Sequence, residues 1–238
     1  MGSELTKTLV VIPAYNEEAS LEYAMGELEG YLGVFGEDAF DYIIVNDGST
    51  DSTRSICIER GYAFLDLPVN TGLASAFQAG MKYALRHDYD YVVQLDGDGQ
   101  HNPIYLKKLV DAARDAQADI VIGSRFIEHK KGVSMRELGS RLLVAMIRLT
   151  TGHSISDPTS GLRLFGRDMI ARFAVNSDYA PEPDTVAFAM HNGAKVVEIS
   201  VEMRERYGGK SYLTAAKSAG YMIRMALSIL LYQWFRKE

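Results

Sequence analysis

Four short apolar runs, each set apart from the next by a segment of helical character, constrain this chain more than any other feature. Thr8–Ile12, Tyr42–Val45, Ala63–Leu67 and Tyr91–Leu95 are too short for helices, and all but the weaker third run favour β-branched and aromatic residues that suit a pleated surface. Between them Leu21, Met25, Leu28 and Leu32 recur at helical spacing, as do Leu73, Phe77, Met81 and Leu85; Ser52–Arg60 reads as a further helix. Strand, helix and strand in succession make crossovers, which place consecutive strands parallel. Runs that are apolar throughout, rather than alternating, belong to strands covered on both faces. The expected class is α/β: a Rossmann-like, mostly parallel sheet flanked by helices.

The first, second and fourth runs each stop in a polar turn, Tyr15-Asn16-Glu17, Asp47-Gly48-Ser49 and Asp96-Gly97-Asp98. Ligands of such sheets bind outside the carboxyl ends of the strands, so the three turns are expected to share one crevice. The third turn is the most informative. Gly97 and Gly99 permit the sharp bend that would aim Asp96 and Asp98 at one point. Hard oxygen ligands suit Mg²⁺ or Mn²⁺, whose remaining ligands are commonly substrate phosphates. By themselves these residues also fit an acidic surface turn, and the rest of the chain has to decide.

Charge and cysteine content remove some alternatives. A net charge of −6 argues against a nucleic-acid partner held by phosphate neutralisation. Cys57 is the only cysteine, which rules out an intramolecular disulfide and fits a reducing compartment. Met1–Lys7 is short and polar and lacks the pattern of a secretory signal.

Further along, Pro103–Ala116 reads as a helix and Ala118–Gly123 as a fifth strand closed by Ser124-Arg125. Phe126–Met135 has no period and is expected to be a loop. Arg136–Thr150 is expected to be helical, with Leu138, Leu142, Met146 and Leu149 on one side. The turn Asp157–Gly161 leads into Leu162–Phe165, a helix follows from Arg167, and Lys195–Met203 alternates as a strand would. The apolar end of Leu213–Phe235 is too short for a bilayer, which needs about 20 apolar residues. Lys217 and Arg224 lie seven apart and share a face, as in a helix lying in a membrane interface; packing on the chain's own core or on a second subunit is the other reading.

Taken in order, five motifs carry a resemblance: Ile12-Pro13-Ala14-Tyr15-Asn16-Glu17, Asn46-Asp47-Gly48-Ser49-Thr50-Asp51, Asn70-Thr71-Gly72-Leu73-Ala74-Ser75-Ala76, Leu95-Asp96-Gly97-Asp98-Gly99-Gln100-His101 and Asp157-Pro158-Thr159-Ser160-Gly161-Leu162-Arg163. From Thr8 to Ser211 the chain resembles the family 2 glycosyltransferases of GT-A fold, and within them the dolichyl-phosphate mannosyltransferase-like branch. The resemblance implies a catalytic domain over 1–211 and an amphipathic, membrane-interface helix over 212–238. It implies inverting, metal-dependent transfer of a hexose from UDP- or GDP-hexose to a polyprenyl phosphate, by a protein peripheral on the cytoplasmic face of the membrane. A saccharide or lipid-linked glycan hydroxyl is the second acceptor class, and a non-catalytic sugar-nucleotide-binding subunit the third reading.

By the same resemblance Pro13, Tyr15 and Glu17 line the nucleotide site and Asp47 contacts the base or ribose. Asp96 and Asp98 match the DXD motif, with Gln100 a further metal-site position. Arg125 is expected near the donor diphosphate or sugar, and Arg136 and Ser140 at the lipid phosphate. Arg206 would close over the pyrophosphate, with Lys210 a second candidate beside it. Catalysis is expected of Asp98, Arg206 and an acid in Glu182-Pro183-Asp184, the best register favouring Asp184. These roles suit the chemistry. Negative charge builds on the departing diphosphate, where a cation acts as a Lewis acid and arginine offers a planar fork. A hydroxyl acceptor needs a base, whereas a phosphate monoester, with a second pKa of about 6, does not. Val144 stands where many members of the branch carry asparagine, and bacterial relatives often continue into transmembrane helices; either this chain sits on the membrane unaided or a membrane subunit completes it, and a homo-oligomer is the other partner considered.

Overall fold

The computed structural model describes residues 6–34, 40–128, 135–204, 207 and 215–231. In chain order its elements are β1 (Thr8–Ala14), α1 (Leu21–Val34), β2 (Phe40–Asp47), α2 (Thr53–Arg60), β3 (Phe64–Leu67), α3 (Leu73–Arg86), β4 (Tyr91–Gln94) and α4 (Tyr105–Ala116). There follow β5 (Ile120–Ser124), α5 (Met135–Thr151), β6 (Arg163–Gly166), α6 (Arg167–Val175), α7 (Pro183–His191), β7 (Val196–Ser200) and α8 (Ala215–Leu231). The strands form one sheet in the order β3-β2-β1-β4-β6-β5-β7.

The sheet is mostly parallel, as its apolar runs require, with one reversal. β6 runs antiparallel to both β4 and β5. Its first residue, Arg163, therefore lies at the edge where the parallel strands end, directly opposite Gln94 of β4.

Two local departures from the sequence reading have simple causes. β1 runs past the apolar stretch Thr8–Ile12, through Pro13, to Ala14. Its pairing with β4 ends at Val11, so Pro13 keeps a neighbour only in β2, a position where a missing N–H is tolerated. Asn16-Glu17-Glu18, which the sequence offers as the opening of the first helix, stay outside it: α1 begins at Leu21, because Asn16 takes a left-handed φ of 55° that a helix cannot continue.

Period-two alternation splits the core into two layers. Leu9, Val11, Val92, Ile120 and Phe165 face α3, α5, α6, α7 and α8, while Val10, Ile12, Val93, Val121 and Leu164 face α1 and α4. The C-terminal helix belongs to the first layer through Met222, Met225, Ala226 and Ile229. On α5 the buried pair is Leu143 and Ile147. Of the row expected as the apolar side, Met146 is half-buried against the core, whereas the other three point outward, with Leu138 56%, Leu142 42% and Leu149 73% exposed. Ile223, Leu227 and Leu231 are exposed on α8 in the same way. No helix among the described residues is long and apolar enough to cross a membrane.

Candidate functional site

The loops after β1 and β2 are stitched together before any ligand is considered. The Asn16 N–H donates to Ser49 Oγ (3.0 Å), the Thr50 N–H to Asn16 Oδ1 (2.8 Å), and the Glu17 N–H to Thr53 Oγ1 (2.9 Å). Gly48 has φ +63°, and a Cβ there would lie 2.4 Å from the Val69 carbonyl carbon, so only glycine fits. Asp47 is 3% exposed, and its two oxygens accept from the Thr71 N–H, the Thr71 hydroxyl and the Gly72 N–H, each at 2.8 Å. It fastens the end of β2 to the start of α3, which leaves only spare lone pairs for a base or ribose.

A cavity of about 650 Å³ opens at this edge of the sheet. Its lining includes Pro13, Tyr15, Glu17 and Asp47 from the first two loops, Asp96 and Asp98 from the third, Glu182 before α7, and Tyr221 and Arg224 on α8. Three polar turns thus share one crevice with a helix that the sequence treats separately.

Within the acidic loop the two carboxylates differ. Asp98 is 3% exposed and accepts the Gln100 N–H (3.0 Å). The Asp96 side chain is 37% open. Its backbone N–H donates to His101 Nδ1 (3.3 Å), so that nitrogen carries no proton and the 3.8 Å approach of His101 to Asp96 Oδ2 is not an ion pair. Gly161 makes room for this carboxylate, since a Cβ at 161 would sit 2.6 Å from Asp96 Oδ2. Gln100 turns its side-chain amide to the Arg204 carbonyl (3.4 Å) and is not among the lining residues. Among the described residues no group of three or more His, Cys, Asp or Glu could hold a metal ion. The donor set of Asp96 and Asp98 fits a hard divalent cation only if a ligand's oxygens complete the shell, as phosphates do for Mg²⁺.

Arg125 forks onto the fully buried Asp157, Nε to Oδ2 at 2.6 Å and Nη2 to Oδ1 at 2.8 Å, with a further bond from Nη2 to Thr159 (3.2 Å). Burial alone would raise the Asp157 carboxyl, but the guanidinium beside it holds it below the usual carboxylate range. Arg125 is not among the lining residues. It anchors the turn that carries Thr159, Ser160 and Gly161 to the cavity wall, where the Ser160 hydroxyl also donates to the Gly123 carbonyl (2.6 Å).

Of the two acids around Pro183, Glu182 lines the cavity and Asp184 does not. Burial pushes the Glu182 carboxyl up, against a hydrogen bond from the Tyr221 hydroxyl and the charge of Arg163. Asp184 is occupied elsewhere, its Oδ1 accepting the Thr185 N–H (2.8 Å) and its Oδ2 the Ser228 hydroxyl (2.6 Å). Ser140 is buried on α5 and is not among the lining residues. The side chains of Arg136 and Lys217, and the whole of Arg206 and Lys210, lie outside the described residues. The sequence reading passed over Gln94, Gly161, Arg163, Tyr221 and Arg224 as site residues, although a glutamine inside one apolar run and an arginine inside another were visible signals.

Residues 9–173 match Glycosyl transferase family 2. The polyprenol monophosphomannose synthase of Mycolicibacterium smegmatis is 32% identical over 236 residues, covering 92% of this chain and 86% of that protein. The undecaprenyl-phosphate mannosyltransferase of Micrococcus luteus is 28% identical, covering 87% and 88%. Among solved structures, glucosyl-3-phosphoglycerate synthase from Mycobacterium tuberculosis, in complex with Mn²⁺, UDP-glucose and phosphoglyceric acid, superposes with a TM-score of 0.70 at 20% identity, covering 98% of this chain and 81% of that one.

Proposed function

We propose that this chain, which belongs to glycosyl transferase family 2, moves a hexose from a UDP- or GDP-hexose to a polyprenyl phosphate. The observation that carries the reading is the shared cavity: the nucleotide-side loops, the Asp96–Asp98 pair and the α8 residues Tyr221 and Arg224 all line one space. Mg²⁺ or Mn²⁺ held by Asp96 and Asp98 would supply Lewis-acid neutralisation of the charge that builds on the leaving diphosphate. Pro13, Tyr15 and Glu17 bound the nucleotide, and the stitched loops keep them in place without ligand. Gly161 leaves the Asp96 carboxylate free to turn toward the diphosphate. Arg224, which lines the cavity from α8, would meet the acceptor phosphate. A phosphate attacking from the face opposite the leaving group inverts the anomeric centre and needs no base.

The membrane face of the reading rests on α5 and α8. Leu138, Leu142 and Leu149 on one helix, and Ile223, Leu227 and Leu231 on the other, are exposed beside Arg141, Arg148 and Arg224. An apolar row with flanking arginines is the pattern of a surface that settles into an anionic membrane interface. Within the segment 212–238, α8 then serves as an interface helix built onto a catalytic unit assigned to residues 1–211, and the protein is peripheral on the cytoplasmic face.

A screen of UDP- and GDP-hexoses with polyprenyl phosphate, in Mg²⁺ and in Mn²⁺, tests the function. One donor should yield a lipid-linked hexose only when a divalent cation is present, and no product with any donor refutes the reading. A hydroxyl acceptor is the second reading, favoured by Glu182, a half-buried acid in the cavity whose carboxyl is raised and could take a proton. It predicts that Glu182→Gln abolishes transfer while nucleotide binding persists.

A further inference from the structure

Strand register places Gln94, the last residue of β4, directly opposite Arg163, the first residue of β6. Side chains opposite one another in an antiparallel pair share a face, and this one is the face that carries Val92 and Phe165 toward α3, α7 and α8. Both residues line the cavity, and both are 2% exposed.

Their hydrogen bonding is incomplete in a specific way. Among the described residues four buried side-chain polar atoms lack a partner, and three of them are Gln94 Oε1, Arg163 Nε and Arg163 Nη1. Only Nη2 of Arg163 is bonded, to the Pro158 carbonyl at 2.8 Å. Buried donors and acceptors are nearly always paired, because an unpaired one costs stability. An arginine retained for the fold would saturate its fork, as Arg125 does on Asp157. Orphan atoms on two facing residues of one cavity wall are what a ligand-binding surface looks like before its ligand arrives.

The chemistry of the orphans selects the ligand. Gln94 Oε1 needs a donor, whereas Arg163 offers two. A phosphate oxygen could use the arginine but would be repelled by the glutamine carbonyl. The carboxylates of Glu182, Asp157 and Asp96, whose charges act on Arg163, disfavour a further anion here. A hydroxyl both donates and accepts, and so satisfies the two sides together. We propose that Gln94 and Arg163 form a subsite for hydroxyls of the donor's hexose ring. This rests on the function proposed above and adds to it the place where the sugar, rather than the nucleotide or metal, is read.

The test is calorimetric titration, with Mn²⁺, of UDP against UDP-glucose and of GDP against GDP-mannose, into wild-type protein, Gln94→Met and Arg163→Met. For the pair that binds wild type, each variant should bind the bare diphosphate within about twofold of wild type. Affinity for the sugar nucleotide should fall about tenfold, the worth of one good hydrogen bond. The midpoint of thermal unfolding should hold or rise in Arg163→Met, since two unpaired donors leave with the guanidinium. An unchanged ratio of sugar nucleotide to diphosphate affinity in Gln94→Met, which keeps side-chain volume, overturns the subsite even where Arg163→Met does not fold. Wild-type protein that binds neither diphosphate with Mn²⁺ defeats the parent function first, and the subsite falls with it.

Discussion

Replacing Asp157 by asparagine should destabilise the protein without touching the nucleotide. The carboxylate is fully buried and takes the Arg125 fork at 2.6 and 2.8 Å, with the Arg125 backbone N–H at 3.2 Å. An asparagine amide presents N–H groups to one arm of that fork. Breaking a buried pair costs about 3–5 kcal/mol. The Arg125 side chain keeps 22% of its surface, so it can recover some hydration, and about 2–3 kcal/mol is the expected cost. For a chain of this length that lowers the unfolding midpoint by about 5–10 °C. The sign of the pH dependence follows from the depressed Asp157 carboxyl. Its stabilisation is fully present above the unfolded value of about 3.9 and disappears only as pH falls through the lower folded value. Differential scanning calorimetry of wild type and Asp157→Asn should therefore show a constant gap from neutrality down to about pH 5 that closes below about pH 4. Arg125→Met should match it in stability loss. If Arg125→Met instead leaves the midpoint within 2 °C or so and loses affinity for UDP or GDP, Arg125 serves the diphosphate and the reasoning is wrong.

Four further outcomes can be checked. Gly161→Ala places a Cβ 2.6 Å from Asp96 Oδ2, so the carboxylate must shift; transfer should fall about a hundredfold while the unfolding midpoint barely moves. Glu182→Gln should be more stable than wild type at pH 7, because the raised carboxyl penalises the folded state as pH climbs past the unfolded value of about 4.3, and the difference should vanish below that. Paired Leu142→Glu and Leu227→Glu changes on the exposed rows of α5 and α8 should release the protein from vesicles containing anionic lipid, with its thermal midpoint unchanged; retention on such vesicles contradicts the membrane reading. Gly48→Ala, at φ +63° against the Val69–Asn70 backbone, should lower the midpoint by several degrees, as strained backbone of about 1–3 kcal/mol would.

The parts of the fold readable in advance were those where one physical demand dominates. β1, β2 and β4 are buried on both faces, so their runs are unbroken and their ends sharp, and the loops that follow them line the cavity. Crossovers made the first strands readable as parallel, but the direction of β6 was not readable, because periodicity is the same in either sense and the reversal that brings Arg163 to Gln94 depends on the whole sheet. On α5 both faces are apolar, so the row of Leu138, Leu142 and Leu149 competed on equal terms with the buried Leu143 and Ile147. Glu182 and Asp184 are two residues apart across a helix start, a spacing that turns one toward Tyr221 in the cavity and the other toward Ser228. Asp47 and Arg125 carry charge types suited to a ligand, yet the fold binds both internally, and side-chain type alone cannot separate those uses.

The loop after β4 is proposed to hold a divalent cation together with a nucleoside diphosphate. The most direct test of that proposal is the titration of UDP and of GDP into wild-type protein and into Asp98→Asn, with Mn²⁺ and with EDTA. One diphosphate should bind wild type at least tenfold tighter with Mn²⁺ than without, and that gain should be lost in Asp98→Asn. Equal affinity in Mn²⁺ and EDTA, or a metal-dependent gain that survives in Asp98→Asn, contradicts it.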